Sequence, residues 1–228
     1  MAASLPAWSE DWVLSRHDVG RDIDVYTRSM PDDGWEFRAV THVHSRMSAL
    51  VELLGDAENM PIWLYRTPSV DVIEVVSDTE SYAHMIHNLP WPFSDRDSVV
   101  HVVFSQNTDD DAVTIRADAA PDRLPEGKRY IRALHVESFW RFTPLEDGRT
   151  RVEFQGADSD RSTELLQRLR NYLGWIAPHQ TLSAFQEALA APDYQSAQLP
   201  FVREPRIWSL SSRDLKPVAQ TNLPRSDR

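Results

Sequence analysis

The sequence predicts an α+β protein, a curved antiparallel β-sheet whose concave face is covered by a long C-terminal helix. Three observations lead there. Between residues 23 and 154, short segments alternate apolar and polar residues at the two-residue period of half-buried strands. The links between them are short and rich in turn-forming residues, too short for the crossovers that parallel strands need. After the last of them, a single segment of helical period runs from residue 163 to residue 190.

In chain order, the alternation predicts strands over 23–28, 35–44, 70–76, 81–87, 98–104, 112–117, 130–142 and 149–154. Turns are expected at Pro31-Asp32-Asp33-Gly34, at 107–111 and at Glu146-Asp147-Gly148, the last two as hairpins. A short helix over 47–54 puts Met47, Leu50, Val51 and Leu54 on one face. In the long helix, Leu165, Leu169, Tyr172, Leu173 and Ile176 recur every three or four residues, with Ser162 or Thr163 as N-cap. Pro178 removes an amide donor and is expected to kink or split this helix near Ala177, after which the stripe resumes at Leu182, Phe185 and Leu189.

Composition sets the boundaries of function. Apolar residues make up 41% of the 228, with eight Trp, eight Phe and six Tyr, enough for a packed core and against global disorder. The net charge of −11 repels a phosphate backbone, so no nucleic acid partner is expected. Cysteine is absent, which excludes disulfides, thiolate nucleophiles and Cys-ligated zinc. No apolar run is long enough to span a membrane, and the opening residues lack a signal-peptide pattern, so a soluble, cytoplasmic protein is expected.

The chain divides into a body, 1–190, and a tail, 191–228, that carries five of the fifteen prolines. Six Lys/Arg against four Asp/Glu leave the tail at +2 and the body at −13, so the tail is suited to lie across the body, anchored by Phe201, Ile207, Trp208 and Leu210.

Chemical motifs are sparse. There is no Gly-rich phosphate loop, Gly-x-Ser-x-Gly elbow or His-Glu-x-x-His pair, and only seven glycines, so no cofactor is expected. His42-x-His44 and His84-x-x-His87 fit metal-ligand spacing loosely, and no metal is expected. Asp109-Asp110-Asp111 reads as a solvated hairpin tip, and Arg96-Asp97 as a pair that fixes a strand entrance by hydrogen bonds.

The most distinctive stretch is Asn88-Leu-Pro-Trp-Pro-Phe-Ser-Asp-Arg-Asp97-Ser-Val-Val100. With its Pro-rich turn, then Arg-Asp, then an apolar strand, it resembles the START family, the steroidogenic acute regulatory protein-related lipid-transfer domains; Pro92, Ser94, Arg96 and Asp97 match. Trp63, Val72-Ile73-Glu74, Leu124-Pro125-Glu126-Gly127-Lys128, Ile131-Arg132-Ala133 and Arg149-Thr150-Arg151-Val152 match in the same order, and the resemblance spans residues 12–190.

The resemblance implies a helix-grip fold, a curved sheet wrapped around the C-terminal helix and enclosing an apolar cavity. It implies binding of one lipid or other hydrophobic small molecule for transfer, carriage or sensing, with transient membrane contact and no catalytic residue. It places Trp63, Tyr82, His84, Ile86, Val100, Val102, Phe104, His135, Phe154, Leu173, Ile176 and Gln180 at the ligand, with Tyr82, His84 and Ile86 facing inward from one strand and Val100, Val102 and Phe104 from the next. The loop 124–129, with Leu124, Pro125 and Gly127, matches the family's mobile loop and is expected to gate the cavity. Sterol-binding relatives bury an acid–base pair where this chain has His84 and Val102, so without a buried guanidinium a neutral or weakly polar ligand is expected.

Two alternatives stand beside this reading. The wider superfamily includes aromatic polyketide cyclases, for which His84, His101 and His135 would be acid–base candidates and Tyr82 and Arg116 would join His84 at a bound carbonyl. The third is a ligand-sensing protein whose tail contacts a partner.

Overall fold

The computed structural model of the chain describes residues 12–30, 35–158 and 164–206, with the side chains of all of these except 158 and 164–173. The expected turn at 31–34, the N-cap at Ser162 or Thr163, and Ile207, Trp208 and Leu210 lie outside the described residues, as do the side chains of Leu165, Leu169, Tyr172 and Leu173.

Strands β1 (Val13–Asp18), β2 (Ile23–Ser29) and β3 (Trp35–Val43) lead into helices α1 (Met47–Gly55) and α2 (Met60–Trp63). There follow β4 (Ser69–Ser77), β5 (Glu80–His87), β6 (Arg96–Gln106), β7 (Val113–Ala119), a 3₁₀ turn at Pro121–Arg123, β8 (Ile131–Arg132), β9 (Val136–Pro144) and β10 (Thr150–Asp158). Helix α3 (Glu164–Leu189) and the single turn α4 (Pro192–Gln195) are the last of the described elements.

The strands form one sheet in the order β1-β2-β3-β10-β9-β7-β6-β5-β4, antiparallel except that β8 runs parallel beside β6. Sequential pairing through hairpins and one return from β3 to β10 is the outcome that short connections allow. In the β9–β10 turn Gly148 has φ of 82°, a left-handed conformation that glycine adopts without steric penalty. Helix α3 packs on β2 and β3 and on α1 and α2, gripping one half of the curved sheet.

Three elements differ from expectation. Strand β1 was not expected; its residues are mostly exposed, so it has no buried face for alternation to report. The segment 130–142 is two strands instead of one. Ile131 and Arg132 pair with Arg96 and Asp97 of β6, whereas β9 pairs with β7 and β10, and the chain crosses between them at 133–135. Helix α3 is not split at Pro178 but runs on through it. The penalty of about 3 kcal/mol for an interior proline is outweighed by the burial of Leu182, Phe185 and Leu189, each contributing about 1.5–3 kcal/mol.

The core joins helix to sheet through stacked rings. Trp140 lies flat on Phe154 at 4.3 Å and on Phe185 of α3 at 5.1 Å, and Trp63 meets Trp140 and Phe185 edge-on. Residues after α4 are tied to the body. Phe201 packs edge-on against Phe104 at 5.3 Å, Val202 is buried, and Arg203 bonds Gln106 and Asn107 at the β6–β7 hairpin. The Glu204 carboxylate accepts from the Met47 N–H at 2.8 Å and the Ser48 N–H at 3.0 Å. Helix α1 lacks a side-chain cap of its own, so Glu204 satisfies its first-turn donors and places negative charge at the positive end of the dipole.

Candidate ligand cavity

Between the concave face of the sheet and the helices lies a cavity of about 1200 Å³. Pairing register decides which side chains reach it. Ala83 stands opposite Val100, Met85 opposite Ser98 and His87 opposite Arg96, and these residues, with Val102, are the ones of β5 and β6 that line the cavity. On β7, Ile115 and Ala117 do so. Trp35 and Phe37, Trp140, and Phe154 bring aromatic surface from β3, β9 and β10.

Gly156 also lines the cavity, and its lack of a side chain is a steric requirement. A Cβ there would come within 2.7 Å of the Phe37 ring. Phe37 in turn meets Phe154 edge-on at 4.9 Å, so its ring position is set from both sides.

The expected site residues separate into two groups. Trp63, Val100, Val102, His135 and Phe154 line the cavity. Tyr82, His84 and Ile86 do not; they project from the opposite face of β5. The reason is parity. Paired residues on β5 and β6 are odd against even, so Tyr82, His84 and Ile86 cannot share a face with Val100 and Val102. Phe104 packs in the core against Phe201. Among the described residues of α3 the lining ones are Ala177, Pro178 and Thr181, whereas Ile176 is outside the lining and Gln180 is exposed. The side chain of Leu173 lies outside the described residues.

A polar strip interrupts the apolar lining. His87 sits between Ser98, whose Oγ is 2.9 Å from Nε2, and Thr67, whose Oγ1 is 3.3 Å from Nδ1. Burial, reinforced by His84 nearby and opposed by the Asp97 charge, pushes the His87 ring down to about 4, so at neutral pH it is an uncharged donor and acceptor. Arg66, exposed, and Arg96, half-buried, line the cavity as well, and so does the buried Arg132, which corrects the expectation that no buried guanidinium stands near the ligand. Arg66 is held in a left-handed backbone conformation, φ 56°, by Asn88, whose N–H donates to its carbonyl at 2.8 Å.

The outer side of β5 and β6 carries a second buried network, which shares Arg132 with the cavity lining. Arg132 donates from Nε and Nη2 to Asp97 Oδ2 at 3.0 and 2.8 Å, and His84 Nε2 lies 3.0 Å from the same oxygen. The remaining Arg132 donors reach the carbonyls of Pro121, Leu124 and Pro125 at 2.8, 2.9 and 3.4 Å. Burial alone would raise the Asp97 carboxyl, but the hydrogen bonds from Arg132 and His84 prevail and hold it below the usual carboxylate range. Leu124, Pro125 and Gly127 thus lie at this network and not at the cavity, which is lined instead by residues 131–135 just after them. Space does not demand a glycine at 127, where nothing lies within 4 Å of an added Cβ.

Tyr82 belongs to the same outer side, stacked on His101 at 4.6 Å and bonded to Arg123 at 2.9 Å. Arg116 pairs with Asp118 at 3.0 Å, also away from the cavity. Arg66, His87, Arg96 and Ser98 are the functional candidates that sequence reasoning missed; His87 and Ser98 were legible once the β5–β6 register was known.

A family model described as START domain matches residues 4–154. The chain belongs to the START domain family. Its structure is similar to that of the STAR-related lipid transfer protein from Xanthomonas axonopodis, fragment 25–204, with 27% identity and a TM-score of 0.71 over 80% of this chain and all of that one. It shares the fold of human StAR-related lipid transfer protein 5, with a TM-score of 0.66 and 17% identity over 79% of this chain and 87% of that one. It is also 25% identical to an uncharacterised protein from Pseudomonas aeruginosa over 80% of this chain and 88% of that protein. Within the START domain the sheet curved around the C-terminal helix is the helix-grip arrangement. Among the described residues no helix is long and apolar enough to cross a membrane.

Proposed function

We propose that this START domain takes up one lipid or other hydrophobic small molecule in the cavity between sheet and α3, shields it from water and releases it to a membrane or partner. The observation that carries this is the cavity itself. At about 1200 Å³ it matches or exceeds the ~300–1,000 Å³ usual for small-molecule sites. Aromatic and aliphatic side chains from β3, β5, β6, β7, β9 and β10 form its walls, and among its polar groups His87, Ser98 and Thr67 are joined by hydrogen bonds. That combination rewards transfer of an apolar body from water and orients a small polar head.

Exchange is assigned to the segment 131–135 and the loop 124–129 that precedes it. Ile131 and Leu134 line the cavity while remaining 50% and 52% exposed, so apolar surface reaches its mouth. Trp91, 92% exposed, sits in the neighbouring turn that Ile131 joins through its N–H bond to the Asp95 carbonyl. Apolar groups so placed suit transient insertion into a lipid surface. The cyclase alternative draws little support, because Tyr82, His84, His101 and Arg116 belong to the outer side of the sheet and leave His135 alone of its candidates at the cavity.

The test is native mass spectrometry of the protein from its own host, followed by extraction and identification of bound molecules. A stoichiometric apolar ligand, lost in an Ala117→Phe variant that fills the cavity, is expected. A protein that carries nothing, and binds no member of a lipid panel, would refute the reading.

A further inference from the structure

Strand β4 ends the sheet on the side away from β1, and among the described residues no strand pairs with its free side. Val72, Ile73, Val75 and Val76 are 46, 37, 72 and 49% exposed, and no other described element carries as many exposed large apolar residues. Natural edge strands are blunted by shortness, proline, lysine or a twisting bulge. β4 has nine residues and no proline, and no Lys or Arg occurs between Arg66 and Arg96, a stretch that holds Asp71, Glu74, Asp78, Glu80 and Asp95. Its two register shifts, between Val72 and Glu74 and between Val75 and Ser77, also sort its side chains. Val70, Val72 and Val75 stand beside Met85, Ala83 and Ser81, on the concave side of β5. Asp71, Glu74 and Ser77 stand beside His84, Tyr82 and Glu80, on the convex side. Strict alternation would instead put Glu74 with Val70 and Val75 with Asp71. The outcome is an edge with valines on one face and carboxylates on the other.

We propose that the β4 edge is a docking site for an extended segment of a partner protein, which joins the sheet as a further strand with apolar residues on the concave side and Lys or Arg on the convex side. The backbone N–H and C=O groups along the free side supply the pairing, and alternate side chains supply the selectivity. Charge decides the class of partner. Glu74 already takes a guanidinium, since Arg123 donates to it at 3.2 Å with both groups 49% exposed. Asp71, one step along the same face, holds only the Ser69 hydroxyl, at 2.7 Å. A basic side chain on the incoming strand therefore meets acceptors that are open to solvent and of opposite charge. A second copy of this chain is disfavoured, because β4 against β4 brings two sets of Asp71, Glu74 and Asp78 together in a protein with a net charge of −11. Residues 71–77 lie outside the cavity lining, so the inference stands apart from whatever the cavity holds.

The probes are fluorescently labelled peptides: Val-Lys-Val-Arg-Val-Lys-Val, its counterpart with Glu at every basic position, and the basic peptide N-methylated at all its amides, which keeps the side chains and removes the donors. Binding to the full-length protein is followed by fluorescence anisotropy and located by amide hydrogen exchange. The basic peptide is expected to bind about tenfold more tightly than the acidic one, to lose that binding on N-methylation, and to slow exchange over residues 70–77. Val75→Lys should weaken the basic peptide, and Asp71→Arg combined with Glu74→Arg should reverse the preference; if a variant does not fold, the three peptides on the wild-type protein decide alone. No binding, equal binding of the basic and acidic peptides, binding that survives N-methylation, or protection away from β4 overturns the inference. Self-association in sedimentation velocity that Val75→Lys abolishes would give the edge to a second copy and also overturn it. So would protection of β4 in the free protein that truncation after residue 206 removes, which would give the edge to the chain's own tail.

Discussion

Replacing Arg132 by methionine tests whether the outer network holds the exchange segment in place. The guanidinium is 2% exposed and the Asp97 carboxylate 6%, so neither charge has water to fall back on. Removing one partner of such a buried pair costs about 3–5 kcal/mol, because the other is left uncompensated. For a protein of this size each kcal/mol lowers Tm by about 2–4 °C, so a fall of about 6–20 °C is expected at pH 7. Three carbonyls, of Pro121, Leu124 and Pro125, lose their donor in the same step. Amide hydrogen exchange should therefore rise most over residues 121–133. Thermal unfolding of Asp97→Asn, Arg132→Met and the double variant supplies the control, with the double expected to lose less than the sum of the singles. Because the native state holds the Asp97 carboxyl low, its contribution is whole above the ordinary carboxylate range and disappears as pH falls through the lowered value. Asp97→Asn should remove that part of the acid sensitivity. A Tm for Arg132→Met within about 3 °C of wild type, equivalent to roughly 1 kcal/mol, would refute the assignment, as would strict additivity in the cycle.

Three further outcomes are expected. His87 stays neutral in the native state down to about 4 against an ordinary value of 6.5, so about 3 kcal/mol of stability, whole above 6.5, is lost as pH falls from 6.5 to 4. Unfolding of His87→Gln followed across that range should be flatter than wild type. Gly156→Ala would press on the Phe37 ring, 2.7 Å from the added Cβ, and the displaced ring narrows the cavity; binding of a bulky steroid probe should weaken more than that of a single-chain lipid in fluorescence displacement. Ala117→Phe, at a lining position of β7, should abolish ligand uptake in native mass spectrometry while circular dichroism keeps the wild-type sheet signal.

The fold was largely legible because its signals are local. Alternation located β2 to β7 and β10, and the helical stripe located α3, since each reports a buried face within one element. Strand β1 escaped because its exposed residues have no buried face to report. The break between β8 and β9 escaped because its cause is distant, the parallel pairing of Ile131 and Arg132 with Arg96 and Asp97. The site was legible only where alternation could be combined with register. Val100 and Val102 were placed at the cavity, but Tyr82, His84 and Ile86 were given the wrong face, because β5 is covered on both sides and its sequence does not tell inner from outer. Tyr82 is covered on the outer side by Arg123, which lies over its ring and bonds its hydroxyl, a contact that no period in the sequence announces.

The boundary at residue 190 between body and tail can be resolved by two truncations. Residues 201–204 fill positions that the body leaves open: Val202 buries its side chain in the core, Phe201 packs on Phe104, and Glu204 receives two first-turn donors of α1. Burial of Val202 contributes about 1.5–3 kcal/mol and the Glu204 cap about 1 kcal/mol, before the Phe201 contact is counted. Truncation after residue 190 should therefore lower Tm by at least about 6 °C, at 2–4 °C per kcal/mol, and by more than truncation after residue 206, which leaves each of these contacts in place. Glu204→Gln, which removes the charge and keeps the shape, should account for only the capping share. Because α1 and α2 carry Leu54, Met60 and Trp63 into the cavity wall, loosening α1 at its N-terminus should also weaken ligand retention. A loss of stability equal in the two truncations would refute this division, and retention unchanged after removal of residues 191–228 would separate residues 201–204 from the cavity.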